Sequence, residues 1–120
     1  MNGTRPNGNG QTPRAMKRLE VWLVRLDPTE GAEMRKTRPC VVLSPDDLNQ
    51  TVRTGLAAPL TSRGRPYPWR VQCVFAGKPG QVALDHVRSL SETRFLRLIG
   101  MLDQPTCQEI LRQLQEMFSP

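Results

Sequence analysis

Val21-Trp22-Leu23-Val24-Arg25-Leu26 and Cys40-Val41-Val42-Leu43 stand on either side of the polar stretch Asp27-Pro28-Thr29-Glu30-Gly31-Ala32-Glu33-Met34-Arg35-Lys36-Thr37-Arg38-Pro39. The two flanking runs are rich in β-branched and aromatic residues and bounded by turn signals, which predicts two buried strands. Eleven residues, Asp27 to Thr37, join them, where a plain hairpin needs about two to five. A loop of that length, in a polar stretch that holds the cations Arg35, Lys36 and Arg38 beside the carboxylates Asp27, Glu30 and Glu33 between rigid strands, predicts a binding or catalytic element and not a spacer.

The rest of the chain reads as a small, strand-dominated domain. Ser44-Pro45-Asp46-Asp47 offers an N-cap, a proline at the first helical position and an acid three residues after the cap, so a short helix is expected there. Gly55 to Thr61 reads as a strand in which Pro59 implies an edge or a bulge. Trp69, Val71, Cys73 and Phe75 alternate with Arg70, Gln72 and Val74, the two-residue period of a half-exposed strand. Gly77-Lys78-Pro79-Gly80 reads as a turn, followed by short strands at Val82–Leu84 and Val87–Leu90 with Asp85 and His86 between them. Ser91 is placed to cap a helical turn, and Arg97 to Leu102 reads as the last strand. From Asp103 onward Cys107, Ile110, Leu111, Leu114, Met117 and Phe118 recur at helical spacing, which predicts an amphipathic terminal helix lying on the sheet. The fold class is therefore mainly β (α+β), a twisted and partly closed antiparallel barrel with a C-terminal helix.

Composition narrows the function. At 120 residues the chain holds one domain, too small for separate cofactor and substrate domains. Three cysteines without a CxxC pair, and a single histidine, indicate neither a zinc site nor a disulfide framework. No apolar run approaches the roughly 20 residues that span a bilayer, so a cytoplasmic protein without a membrane partner is expected. The net charge is +6, but Arg5, Arg14, Lys17 and Arg18 all precede the first acid, Glu20, so the body is only mildly basic. Residues 1–15 are rich in Asn, Gly, Pro and Thr and are expected to be a disordered leader to a single domain over 16–120.

Position and type of the cations say more than their sum. Fourteen of the 17 are arginine, whose planar fork suits bidentate phosphate contacts and stacking on bases. They cluster as Arg35, Lys36 and Arg38, and again as Arg63, Arg65 and Arg70 interleaved with Tyr67 and Trp69. Arginines alternating with aromatic residues on a loop fit single-stranded nucleic acid, because cations track the phosphates and rings offer stacking surfaces.

The segments Val21 to Glu33, with Asp27-Pro28-Thr29-Glu30-Gly31-Ala32-Glu33 at their end, Lys36-Thr37-Arg38-Pro39-Cys40-Val41-Val42-Leu43-Ser44, and Val87-Arg88-Ser89-Leu90 together resemble the MazF/PemK toxins of bacterial toxin–antitoxin systems, over about residues 17 to 118. The resemblance implies an SH3-like barrel, a homodimer, metal-free and cofactor-free cleavage of single-stranded RNA (messenger RNA, with tRNA and rRNA as further candidates), and a cognate antitoxin that wraps over the groove. A related toxin class, CcdB, shares the barrel and poisons DNA gyrase without catalysis, which is the alternative reading.

RNA supplies its own nucleophile, the 2′-hydroxyl, so such an enzyme needs a base, an acid and donors for the phosphorane. A pair of histidines is excluded, since His86 stands alone. By motif, Arg38 and Thr61 match the family's catalytic arginine and threonine, and Glu33 its conserved glutamate, the candidate general base. Asp85 and His86 are further candidates for catalysis or RNA contact. At Asp85 this chain departs from members that carry an arginine two residues earlier, since it has Ala83 there. The expected RNA contacts are Arg35, Lys36, Thr37, Ser62, Arg63, Arg65, Tyr67, Trp69, Arg70 and Arg88.

Overall fold

The computed structural model describes residues 15–26, 37–62 and 64–120. Among these residues there are seven strands, β1 (Glu20–Arg25), β2 (Thr37–Val42), β3 (Thr54–Ser62), β4 (Arg70–Phe75), β5 (Lys78–Ala83), β6 (Arg88–Ser91) and β7 (Phe95–Met101), with helices α1 (Asp46–Val52) and α2 (Gln104–Met117). All pairings are antiparallel. The path runs β4-β5-β3-β2-β1-β7, with β6 set beside β3. The nine-residue β3 is the hub: Thr54 to Ala57 pair with β6, Ala57 to Pro59 with β2, and Leu60 to Ser62 with β5.

Alternation along the strands feeds two separate cores. Val21, Val41, Leu43, Ala58, Leu60, Val71, Cys73, Val82 and Leu84 point inward and meet Cys107 and Ile110 of α2. Met16, Trp22, Val24, Cys40, Val42, Ala57, Leu90 and Phe95 form the second cluster on the opposite face. That is why Val21 to Val24 of β1 and Pro39 to Val42 of β2 are apolar at consecutive positions. In the second cluster the Trp22 ring meets Phe95 edge-on at 6.1 Å, and its indole N–H donates to the buried Glu20 carboxylate at 2.9 Å. The sheet curls without closing by hydrogen bonds, and at its open ends the Phe75 ring of β4 lies where a side chain on Gly100 of β7 would stand, 3.1 Å away. The expected barrel is thus a strongly curled open sheet.

Several expected boundaries move for identifiable reasons. The turn after β4 is Ala76-Gly77, both with positive φ (54° and 77°), the pattern of a two-residue type I′ hairpin, and Lys78, Pro79 and Gly80 belong to β5. The capping residue of α1 is Pro45 and not Ser44. Ser44 is instead buried, its hydroxyl donating to the Asn49 side-chain oxygen and accepting from the Leu56 amide, while Asn49 Nδ2 donates to the carbonyls of Met16 and Ser44. Pro59 is not on an edge; it falls where β3 changes partner from β6 to β5. Val82–Leu84 ends one residue earlier as strand, because Leu84, Asp85 and His86 form a 3-10 turn. Ser91 does cap a 3-10 turn, accepting from the Thr93 amide. Cys107 and Ile110 anchor α2 as the helical spacing predicts, but Phe118 lies past its end and is exposed. All three cysteines are buried and unpaired.

Candidate functional site

The β2–β3 register fixes the central pair. Cys40 stands opposite Pro59, Val41 opposite Ala58 and Val42 opposite Ala57; carried two residues toward the start of β2, the same register sets Arg38 opposite Thr61, with both side chains on one face. Both residues line a groove of about 650 Å³ with Thr37, Pro39, Ser62 and Gly80. Arg88 joins them on that face: its register partner on β3 is Ala57, two residues from Pro59. Burial pushes the Cys40 thiol up to about 12, and the Arg38 and Arg88 charges each act in the opposite direction. Among the described residues neither Arg38 nor Arg88 has an ion pair or a side-chain hydrogen bond, whereas Arg53, Arg70 and Arg112 are all tied to carboxylates. Guanidiniums without a carboxylate partner and a hydroxyl are the donor types that suit a phosphate.

Thr61 is fixed from the other side by β5. A Cβ on Gly80 would stand 2.6 Å from the Thr61 carbonyl oxygen, so only glycine lets the strands approach there. The Thr61 hydroxyl makes one local bond, to the Ser62 carbonyl at 3.2 Å. Next to it in register is Gln81, which is almost fully buried yet polar; its Oε1 accepts from Gln72 at 2.8 Å and its Nε2 donates to the Arg65 carbonyl at 3.4 Å.

A second group lies beyond Gln81. Arg70 grips Asp85 with two parallel bonds, Nε to Oδ1 at 2.6 Å and Nη2 to Oδ2 at 3.1 Å, and His86 Nε2 stands 3.5 Å from the same carboxylate. The Arg70 bond is the main reason that the Asp85 carboxyl is held below the ordinary carboxylate value. A carboxylate so held is a poor proton acceptor. The Arg70 guanidinium also lies 5.2 Å from the centre of the half-exposed Tyr67 ring, and that of Arg65 lies 5.9 Å from it. Trp69 is drawn the other way. It sits at φ +66° in the turn before β4 and packs against the inner core.

The structure thus brings together Thr37, Arg38, Thr61, Ser62 and Arg88, and separately Arg65, Tyr67, Arg70, Asp85 and His86. Glu33, Arg35, Lys36 and Arg63 lie outside the described residues. Sequence reading missed Gly80, Gln81 and Gln72. Gly80 was hidden by reading Lys78-Pro79-Gly80 as a turn, although a glycine two residues before the apolar Val82 is also the signal of a close strand approach. Among the described residues no group of three or more His, Cys, Asp or Glu side chains is placed to hold a metal ion.

The family profile of the PemK-like, MazF-like toxin of type II toxin–antitoxin systems matches residues 17–118. The chain belongs to this family. Among curated relatives of this PemK/MazF-like chain, Endoribonuclease MazF9 of Mycobacterium tuberculosis is 37% identical over 95 residues, covering 71% of this chain and 80% of that protein. Endoribonuclease PemK of Escherichia coli is 45% identical over 49 residues, so the matched stretch spans 41% of this chain and only 37% of the relative. Among solved structures, a MazE–MazF crystal structure from Deinococcus radiodurans superposes with a TM-score of 0.73 at 27% identity, covering 87% of this chain and 96% of the other. Like the MazE–MazF structure on which it superposes, this PemK/MazF-like chain folds as an antiparallel sheet with a C-terminal helix, and no helix among the described residues is long and apolar enough to cross a membrane.

Proposed function

We propose that this chain is the toxin of a type II toxin–antitoxin pair and acts as an endoribonuclease on single-stranded RNA, without a metal ion. The observation that carries the reading is that Arg38 and Thr61 line one groove, at the ends of two strands paired in register at Cys40 and Pro59, with Arg88 paired to the neighbouring Ala57. A scissile phosphate seated there receives the Arg38 fork and the Thr61 hydroxyl on its non-bridging oxygens. The RNA 2′-hydroxyl gives its proton to the general base and attacks that phosphorus, the bond to the 5′-oxygen of the next nucleotide breaks, and that oxygen takes a proton from water, so the products are a 2′,3′-cyclic phosphate and a 5′-hydroxyl. Arginine remains protonated throughout because its pKa exceeds about 12, so Arg38 stabilises the phosphorane charge and does not donate the proton.

Glu33 is the proposed general base. It belongs to the same sequence segment as Arg38, and the alternative carboxylate, Asp85, is already committed to Arg70. The cognate antitoxin is proposed to lay an acidic segment over the Arg38–Arg88 face, competing with RNA for the same cations. Exposed Leu96, Leu98 and Met101 on the edge strand β7 support a homodimer.

The test uses purified protein and a long single-stranded RNA in the presence of EDTA, with fragment ends mapped chemically. Cleavage leaving 5′-hydroxyl and cyclic phosphate ends is expected. Inhibition of gyrase with no RNA cleaved would refute the reading in favour of a CcdB-like binding toxin.

A further inference from the structure

We propose that Asp85 is a positioning residue which, through Arg70, presets Tyr67 and the adjoining backbone as a platform for one unpaired RNA base, so that Asp85 governs substrate selection and transfers no proton. This rests on the ribonuclease reading of the site and adds to it a second contact point for the RNA.

The arrangement is built from the sequence outward. Arg70 stands directly opposite Ala83 in the β4–β5 register. The small side chain at 83 leaves room for the guanidinium to reach on to residue 85, where the 3-10 turn of Leu84–His86 turns the Asp85 carboxylate back to meet it. The turn itself is tied to the residue before β4 by the Leu84 amide, which donates to the Trp69 carbonyl at 3.0 Å. Both Asp85 oxygens accept from Arg70. In exchange the Arg70 side chain, only 12% exposed, is held in one orientation, and the ring of Tyr67 lies 5.2 Å from its charged centre.

The ring is 50% exposed. Both guanidiniums lie over the Tyr67 ring, Arg70 held by Asp85 and Arg65 without a carboxylate partner among the described residues; the exposed, unpinned Arg65 is the one that moves onto the adjoining phosphate and yields the ring face to a base. A second anchor holds the same segment independently: the Gln81 amide, oriented by Gln72, donates to the Arg65 carbonyl. Gln81 is the register partner of Thr61, so the anchor of the platform and the catalytic hydroxyl belong to one cross-strand row. β4 lies three strands from β2 along the sheet path, about 14 Å at the usual inter-strand spacing. The platform therefore reads a base flanking the scissile phosphate, not the one at it.

The experiment compares the full-length unmodified protein with Asp85→Asn, Tyr67→Ala and Tyr67→Phe on a set of single-stranded RNA oligonucleotides that differ at one flanking base. It measures kcat and KM separately, maps cleavage sites, and records pH–rate profiles, with thermal unfolding to check each fold. Expected are a KM raised about tenfold in Asp85→Asn and in Tyr67→Ala, the order for one lost stacked base, a flattened preference at the flanking position, and an unshifted acidic limb. Tyr67→Phe is expected to recover the KM, and the double variant Asp85→Asn/Tyr67→Ala to be no worse than Tyr67→Ala alone. If Asp85→Asn collapses kcat at saturating RNA and abolishes the acidic limb while KM and site preference stay fixed, Asp85 is a base and the proposal is overturned. Should Asp85→Asn fail to fold, the tyrosine pair decides: Tyr67→Ala with unmodified KM and site preference overturns the platform while leaving the ribonuclease reading intact. No cleavage by the unmodified protein overturns both.

Discussion

Replacing Gly80 by alanine adds one methyl group at the point where β5 presses on β3. That methyl would stand 2.6 Å from the Thr61 carbonyl oxygen and 3.7 Å from its carbonyl carbon. The first distance is well inside contact and the obstacle is backbone, so no rotamer change relieves it; the strands must part by several tenths of an ångström. Forcing such an overlap into a packed region costs about 1–3 kcal/mol, which for a domain of this size lowers Tm by roughly 4–15 °C. The displaced strand carries Thr61, so activity is expected to fall further than stability, by one to two orders of magnitude in kcat/KM, since a misplacement of about 1 Å costs on the order of 100-fold. Gly77→Ala is the control. Its Cβ meets nothing within 4 Å, and its cost is the left-handed conformation alone (φ +77°), about 1 kcal/mol, with full activity on the fraction that is folded. Thermal unfolding followed by circular dichroism and single-turnover RNA cleavage measure the two effects. A Gly80→Ala protein with unmodified Tm and unmodified cleavage rate would refute the β3–β5 approach on which the placement of Thr61 rests.

Three more expectations follow from other parts of the molecule. Asn49→Ala removes a buried amide that holds Ser44 and the Met16 carbonyl, and leaving buried partners unsatisfied is expected to cost about 1–3 kcal/mol, read by urea denaturation. The Asp85 carboxyl has a depressed pKa in the folded state, first because of its bonds from Arg70; its contribution is present above the ordinary carboxylate value, near 3.9, and lost as pH falls through the lowered one, so the Tm difference between the unmodified protein and Asp85→Asn should shrink toward zero below that range. Burial raises the pKa of Cys40, Cys73 and Cys107 alike, so an alkylating reagent at neutral pH is expected to leave all three untouched in the native protein and modify all three after unfolding.

Much of the fold is legible in the sequence because the strongest signals are local. The runs at 21–26 and 40–43, the alternation from Val71 to Phe75 and the three- and four-residue spacing from Cys107 to Met117 each depend on their own residues. What escapes is set at a distance. Lys78-Pro79-Gly80 has turn composition, and only the Thr61 backbone packed against Gly80 explains why that composition is in a strand. Ser44 has cap chemistry, but a buried asparagine five residues on outcompetes the helix end for its hydroxyl. At the candidate site, motif reading singles out Arg38 and Thr61 without saying that they share a groove; that follows from the pairing of β2 with β3 at Cys40 and Pro59. The commitment of Asp85 to Arg70, fifteen residues away, leaves no trace in periodicity.

The central claim is that Arg38, without a carboxylate partner among the described residues and lining one groove with Thr61, stabilises the charge on a cleaved phosphate. Its most direct measurement is the single-turnover rate at which the purified Arg38→Ala protein, shown folded by its unfolding curve, cuts a single-stranded RNA that the unmodified protein cuts. The account predicts a loss of about 100- to 1000-fold or more, the scale for removing one preorganised donor to a developing oxyanion, with Tm unchanged within a few degrees. A folded Arg38→Ala protein that cleaves at the unmodified rate would contradict it.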